Sequence, residues 1–241
     1  MIKKSLNEGV YFKDNHFVFN FLNDNSAHMI NLKYAGKFIK RNNKKVYYSY
    51  VFKETADKEI KKQFLLALKY RGENSQKLIS QTDYNKFLNK GINGLFHKMH
   101  RDIDIIVYPK SSAPLNNDIV DKLKLKFPYA IIANDVIVKN NIENIKIDTS
   151  VITDKTAQSI LKSAGKNGEL VVKAIPPMYR KYFSNFMKFD DKISEQLYKA
   201  MSGNVLLIDD LLNEGTTIKE CEQLIRSLNA THIIKYVLLK T

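Results

Sequence analysis

Short stretches that are apolar on both faces do most to limit what this chain can become. Ile103–Val107, Tyr129–Ala133, Val205–Ile208 and Ile233–Leu239 are near-continuous apolar runs, not alternating ones. A strand with one wet face alternates, whereas a strand apolar on both faces needs helices covering it on both sides. The stretches between these runs keep helical spacing. Leu115–Leu125 carries Ile119 and Leu123, Thr153–Ala164 carries Ala157, Ile160 and Leu161 before Gly165, and Asp191–Met201 carries Ile193 and Leu197 before Gly203. Thr216–Leu228 follows with Ile218, Cys221, Leu224 and Ile225. Strand alternating with helix is the pattern of an open α/β sheet. The expected fold class is therefore α/β, a mainly parallel open sheet with flanking helices over residues 101–241.

Residues 1–100 have a different texture and read as an added α+β portion. Short strands are expected at Val10–Lys13, His16–Leu22 and Val46–Phe52, with Asn23-Asp24-Asn25 as a turn. In the last of them Val46, Tyr48, Tyr50 and Phe52 would line one face, and Tyr47, Ser49 and Val51 the other. A helix follows the cap at Thr55 or Asp57, carrying Ile60, Phe64, Leu65 and Leu68. A second follows Thr82 with Tyr84, Phe87 and Leu88, and Ile92, Leu95, Phe96 and Met99 continue it past Gly91.

Composition narrows the function classes. The chain has 241 residues, 39 of them Lys or Arg against 25 Asp or Glu, for a net charge of +14. Such a charge attracts polyanions or a phosphorylated small molecule. Arginine occurs only at Arg41, Arg71, Arg101, Arg180 and Arg226, which argues against base reading through bidentate forks. Any nucleic-acid binding is expected to be weak and non-specific. The densest basic stretch, 37–62, surrounds the aromatic run 46–52; it reads as an RNA-stacking surface or, preferably, as a strand whose rings are core. A single cysteine excludes a disulfide framework, and Cys221 falls on an apolar helical stripe, as a core residue would. His97 and His100 share a helix face but lack a third ligand for a metal. No run approaches the ~18 apolar residues of a membrane span, and the first residues lack a signal-peptide core. A cytoplasmic protein with no membrane partner is expected, and a homodimer is left open.

One segment carries chemistry. Val205-Leu-Leu-Ile-Asp209-Asp210-Leu-Leu-Asn213-Glu214-Gly215-Thr216-Thr217 is a buried strand, two adjacent acids, a short loop with glycine, and hydroxyls at a helix start. Thr217 and Glu220 have capping-box spacing. A helix N-terminus presents unpaired N–H groups to a phosphate, and carboxylates at a strand end hold sugar hydroxyls or magnesium. The segment resembles the phosphoribosyl pyrophosphate (PRPP) binding signature of the type I phosphoribosyltransferase family, as a divergent member. Glu214 departs from the usual small or hydroxyl residue there, so its side chain must point away from a bound phosphate.

The resemblance implies more. Family members hold pyrophosphate in a loop after the first core strand, often with a cis peptide. Here that loop is Tyr108-Pro109-Lys110-Ser111-Ser112, where an X–Pro bond makes cis inexpensive. A mobile loop follows the second core strand. Its counterpart includes Pro176-Pro177-Met-Tyr-Arg180-Lys181, with Arg180 and Lys181 either on a lid or on a surface helix. Any fifth core strand, and the hood that selects the base, would come from residues 1–100. The implied activity is magnesium-dependent transfer of phosphoribosyl from PRPP to a nitrogen acceptor. Asp209 and Asp210 would bind ribose or metal, and Asn213 to Thr217 the 5′-phosphate. The alternative is a PRPP-sensing, RNA-binding regulator on the same fold without catalysis.

Overall fold

The computed structural model describes every residue except 1–8, 14–15, 21–27, 30–31, 42–43, 53–56, 71–77, 97–101, 112, 167–168, 171–173, 213–214 and 241. The pair His97 and His100 therefore lies outside the described residues. Strands β1 (Gly9–Lys13), β2 (His16–Asn20) and β3 (His28–Met29) pair antiparallel in the order β2-β1-β3. Next come β4 (Leu32–Arg41), β5 (Lys44–Phe52) and helices α1 (Lys58–Lys69) and α2 (Gln81–Phe96). The alternating part opens with β6 (Ile105–Pro109), α3 (Leu115–Lys124) and β7 (Ile131–Lys139). Smaller elements follow: β8 (Lys146–Ile147), α4 (Asp154–Ala164), β9 (Gly165–Lys166), β10 (Glu169–Leu170), α5 (Pro177–Arg180), β11 (Phe183–Ser184) and β12 (Met187–Phe189). The chain then forms α6 (Glu195–Met201), β13 (Asn204–Leu212), α7 (Thr216–Arg226) and β14 (His232–Lys240).

A seven-stranded sheet runs in the order β12-β7-β6-β13-β14-β5-β4. Strands β7, β6, β13, β14 and β5 are mutually parallel, and β12 and β4 close the edges antiparallel. This is the α/β architecture that runs apolar on both faces require. Ile106, Leu206, Ile208, Tyr236 and Leu238 face one cluster with Phe64 and Leu68 of α1, Phe87 and Ile92 of α2, and Leu115 and Ile119 of α3. Ile105, Val107, Val205, Leu207 and Val237 face the other, with Ala157 and Leu161 of α4, Met201 of α6, and Ile218, Cys221 and Ile225 of α7. Cys221 is thus core. Among the described residues no helix is long and apolar enough to cross a membrane.

The strands outrun their apolar runs because backbone pairing sets their ends. β13 keeps its ladder with β14 through Leu211↔Leu239 and Leu212↔Lys240. Asp209 and Asp210 therefore lie inside a strand instead of terminating it. β7 likewise extends to Lys139, past the polar Asn134 and Asp135.

The first hundred residues enter the same sheet. β5 pairs parallel with β14, Tyr236↔Tyr47 and Val237↔Tyr48, and so supplies a fifth parallel strand. Its faces do not alternate as expected. Tyr47, Tyr50 and Phe52 pack with the α1 and α2 cluster, while Val46 and Tyr48 face the opposite side. Ser49 also turns toward α2, its hydroxyl donating to Gly91 O at 2.7 Å. The two-residue period breaks between Ser49 and Tyr50, opposite a bulge between Tyr34 and Lys37 of β4. Tyr50 lies flat on Phe87, 4.1 Å between centroids, and donates its hydroxyl to Phe87 O at 2.7 Å. These rings are core, so they are not available to stack on bases.

Helix starts follow local chemistry. Asp57 caps α1, accepting from the N–H groups of Glu59 and Ile60, both at 2.9 Å. Ser80, not Thr82, supplies the cap of α2 by accepting from Asp83 N–H at 3.0 Å. α2 continues through Gly91, where a Cβ would lie 3.0 Å from both Leu238 Cδ1 and Tyr50 Cε2. That close approach seats the helix on β5 and β14. Gly91→Val is expected to cost about 1–3 kcal/mol through overpacking. In a chain of this size the melting temperature should fall roughly 2–4 °C for each kcal/mol, and a variant melting with the parent would show a looser contact.

Candidate functional site

The connections of the sheet locate a crevice. α3 carries the chain from β6 to β7 across the α1 and α2 face, and α7 carries it from β13 to β14 across the other. The two crossovers depart in opposite directions from neighbouring parallel strands. Register Val205↔Ile105 to Leu207↔Val107 puts the carboxyl ends of β6 and β13 at one edge of the sheet. Open α/β sheets bind ligands at such a switch point.

Asp209 and Asp210 lie near this edge within β13, followed in the strand by Leu211 and Leu212. Asp209 is half-buried, and Asp210 is 5% exposed. Asp210 Oδ2 lies 2.7 Å from Nζ of Lys69, the last residue of α1. The ammonium compensates its charge, but no aligned hydrogen-bond donor reaches that oxygen. Asp210 N–H donates to Asp209 Oδ1 at 3.0 Å. Burial, then the Asp210 charge, push the Asp209 carboxyl up to about 8, against the opposing pull of Lys69. Near neutral pH the pair thus offers one protonated carboxyl and one ion-paired carboxylate. Lys69 lay outside the sequence expectation, because nothing in a surface-type helix marks its last lysine as reaching a strand 140 positions on.

The following turn has the geometry a tight approach needs. Gly215 sits at φ 76°, ψ 18° and precedes the first turn of α7, which has no side-chain cap. Only glycine adopts that left-handed conformation without strain. Thr216 and Thr217 are half-buried in the first turn, whereas Asn213 and Glu214 lie outside the described residues. The capping box does not form. With Gly215 at the cap, Glu220 is too far along the helix to reach back, and its carboxylate accepts instead from Asn185 and Phe186 N–H, both at 3.2 Å.

On β6, Tyr108 is buried and the Tyr108–Pro109 bond is trans; no cis peptide occurs among the described residues. Lys110 and Ser111 are exposed, and Ser112 lies outside the described residues. Lys110 N–H donates to Ile137 O at 2.8 Å, and Ser111 Oγ accepts from Ala113 N–H at 3.1 Å. Beyond them opens a cleft of about 470 Å3 between α3 and β7, lined in part by Tyr108, Lys110, Ser111, Asn116, Asn117 and Asn134. The Tyr108 hydroxyl is 2.9 Å from Asn117 Oδ1 and 2.8 Å from Asn134 Oδ1. Its one proton serves one of these two acceptors at a time. Burial, then Asp135 and Asp121, raise the Tyr108 phenol above its ordinary range. The three asparagines escaped sequence reading because Asn is common throughout this chain, and helix α3 with strand β7 unites them only in space.

Arg180 and Lys181 are held by their own segment. α5 does start after Pro176, but Arg180 Nε donates to Ile175 O at 2.8 Å, and Lys181 Nζ rests over the Tyr182 ring at 4.8 Å. Tyr179 and Tyr182 pack with the α7-side cluster. For magnesium the donor chemistry fits: Asp209 and Asp210 offer the carboxylate oxygens this ion takes beside substrate oxygens and water. Lys69 competes for Asp210.

Asp209 supports a signed prediction. Its folded value lies above the ordinary carboxyl value of 3.8, so its stabilising contribution is complete below about pH 4 and is lost as pH rises through about 8. Melting temperature should decline between about pH 4 and 8, and Asp209→Asn should flatten that decline; an unchanged slope would assign it to other groups. Lys69→Met strands a buried charge on Asp210 and should cost about 3 kcal/mol or more, much of it recovered in the double variant with Asp210→Asn. In comparisons with protein-family models and with curated proteins, the chain matched none.

Proposed function

We propose that the protein is a PRPP-dependent phosphoribosyltransferase, moving a phosphoribosyl group to a nucleobase-like nitrogen nucleophile with release of pyrophosphate. One observation carries this reading. The acid pair lies near the carboxyl end of β13, with Leu211 and Leu212 still to follow in the strand, and Gly215 opens α7, at the switch point beside the carboxyl end of β6. The signature read in the sequence thus coincides with the place where a sheet of this kind binds ligands.

Each group then has work suited to its surroundings. Asp210, held by the Lys69 ammonium, accepts a ribose hydroxyl beside that contact. Asp209, with its raised carboxyl, takes the neighbouring hydroxyl as donor or acceptor. Lys69 holds Asp210 in place through their 2.7 Å contact. The N–H groups of the first turn of α7, with the Thr216 and Thr217 hydroxyls, bind the 5′-phosphate, and Gly215 lets the backbone close on it. Lys110 and Ser111, beside the start of α3, hold the pyrophosphate, with Tyr108 and Pro109 as the rigid end of the strand beneath them. Magnesium would be held by Asp209 and Asp210, with Asp209 giving up its proton on binding, and would supply charge neutralisation for the leaving group. Positive charge grows on the ribose as pyrophosphate departs, so two acids beneath the sugar and cations at the leaving group are disposed to stabilise that separation. The net charge of +14 draws in an anionic substrate.

Calorimetry with PRPP, with and without magnesium, tests the reading; no heat at millimolar ligand in either condition removes it. Loss of a charged hydrogen bond is worth about 1.5–3 kcal/mol, so Asp209→Asn and Asp210→Asn should each lose roughly 10- to 150-fold in PRPP affinity or turnover. Asp210→Asn should also melt lower, since it strands Lys69. Gly215→Val places a β-branched residue at positive φ, at a cost of about 1–3 kcal/mol, and should weaken phosphate binding as well. PRPP binding without pyrophosphate release from any acceptor, joined to selective RNA binding, would favour a regulator instead. The burial of Tyr47, Tyr48, Tyr50 and Phe52 weighs against that outcome.

A further inference from the structure

We infer that Lys69 is a ligand-binding residue, its ammonium shared between Asp210 and a pyrophosphate oxygen of the bound ligand. The leading observation is the form of its contact with Asp210. Lys69 Nζ lies 2.7 Å from Asp210 Oδ2, yet the contact is not an aligned hydrogen bond. It balances charge without directing an N–H at the carboxylate. A lysine ammonium carries three donors, and among the described residues no second acceptor meets it. Donors therefore remain for an oxygen that the protein does not itself supply.

Placement indicates which oxygen. The Lys69 side chain is 20% exposed against 7% for Asp210, so of the two it is the group that solvent reaches. Phe64 and Leu68 of α1 share a cluster with Leu115 and Ile119 of α3, while Ile218 and Ile225 of α7 belong to the cluster on the other face. Lys69 thus comes to the carboxyl edge from the side on which α3 leaves β6, the side of the 108–112 loop. The turn before α7, assigned to the 5′-phosphate, departs on the opposite side. A polyphosphate gripped by Lys110 and Ser111 would lie on the same face as Lys69.

A structural role alone accounts poorly for the pair. A cation suits the C-terminal end of α1, but that preference does not require the side chain to reach a strand. A buried ion pair gains little over apolar packing of similar size. The pair is accounted for when each end meets ligand, the carboxylate a sugar hydroxyl and the ammonium an oxyanion. In the free protein Asp210 then holds the cation ready at the crevice, which lowers the ordering cost of binding. The identification of the oxyanion as the pyrophosphate of PRPP rests on the phosphoribosyl-transfer reading; capture of a polyphosphate by Lys69 does not.

Calorimetry with inorganic pyrophosphate on the full chain, without divalent metal, tests the inference. The parent should bind it, and Asp210→Asn should bind it at least as tightly, because the ammonium has lost its competing carboxylate. Adding Lys69→Met to Asp210→Asn should raise the melting temperature back toward the parent. It should also weaken pyrophosphate binding roughly 10-fold or more relative to Asp210→Asn, the worth of a charged hydrogen bond. A purely structural Lys69 would give recovered stability with undiminished binding, and that result overturns the inference. So does a parent that binds no pyrophosphate. Lys155→Met removes an exposed lysine of α4, on the other face, and should leave binding unchanged; an equal loss there would assign the attraction to net charge and overturn the role of Lys69. Should the double variant fail to fold, the Lys69 ammonium NMR signal of the parent must shift on adding pyrophosphate, and an unmoved signal is equally fatal. PRPP titrated into the same samples keeps the two readings apart. PRPP affinity that is the same with and without Lys69 in the Asp210→Asn background sinks the role of Lys69 alone. Pyrophosphate binding lost with Lys69, in a protein that gives no PRPP heat, sustains the oxyanion site and removes its place in transfer.

Discussion

The parallel pairing of β6 with β13 is the contact on which the site depends. It joins segments about a hundred residues apart, and its lower end is latched by Asp104, whose carboxylate accepts from Asn204 N–H at 2.7 Å while its own N–H donates to Asn204 O at 3.0 Å. With that register set, both carboxyl ends finish at one edge. The connections must then leave on opposite faces, because each crossover takes the same hand and the next strands lie on opposite sides. A crevice between them follows from topology before any side chain is considered.

Buried charges hold the elements around that crevice. Lys69 links α1 to Asp210, tying an N-terminal helix to the carboxyl edge of the central strands. On the other face, Glu222 of α7 takes Lys235 of β14 at 2.7 Å and Arg226 at 2.8 Å. Glu220 of the same helix accepts from the backbone at Asn185 and Phe186. The first turn of α7 is therefore aimed by contacts further along the helix. Pairs of this kind gain little net stability over apolar packing, yet losing one partner is expensive, so they penalise any other placement of α7.

The N-terminal hundred residues are integral to this arrangement. β5 covers the flank of β14 that would otherwise be an open edge of unpaired backbone groups. α1 and α2 cover one face of the central strands through Phe64, Phe87 and Leu95, with Tyr50 stacked beneath. The same segment that completes the core also delivers Lys69 to the acid pair.

Much was legible along the chain because it depends on near neighbours. Apolar runs told of strands covered on both faces, helical spacing located α3, α4 and α7, and Asp57 was visible as a cap because a carboxylate two residues before Glu59 needs nothing else. Gly215 was likewise readable as a residue free to take positive φ. Other features depended on partners distant in sequence. β13 runs through Asp209 and Asp210 because β14 offers it a ladder to Lys240; polarity alone would end it at Ile208. Glu220 abandons the capping box because Asn185 and Phe186 bring N–H groups to it. Tyr50 joins Tyr47 on one face where the alternation of β5 breaks against its two neighbouring strands. Lys69 at the acid pair, and the amides of Asn116, Asn117 and Asn134 around one cleft, are juxtapositions of separate elements. The sequence by itself determined which segments had to be covered and which residues could bear chemistry, since burial and backbone preference act locally. Which carboxylate is neutralised, which lysine reaches it and where the crevice opens were decided only when strands distant in the chain paired.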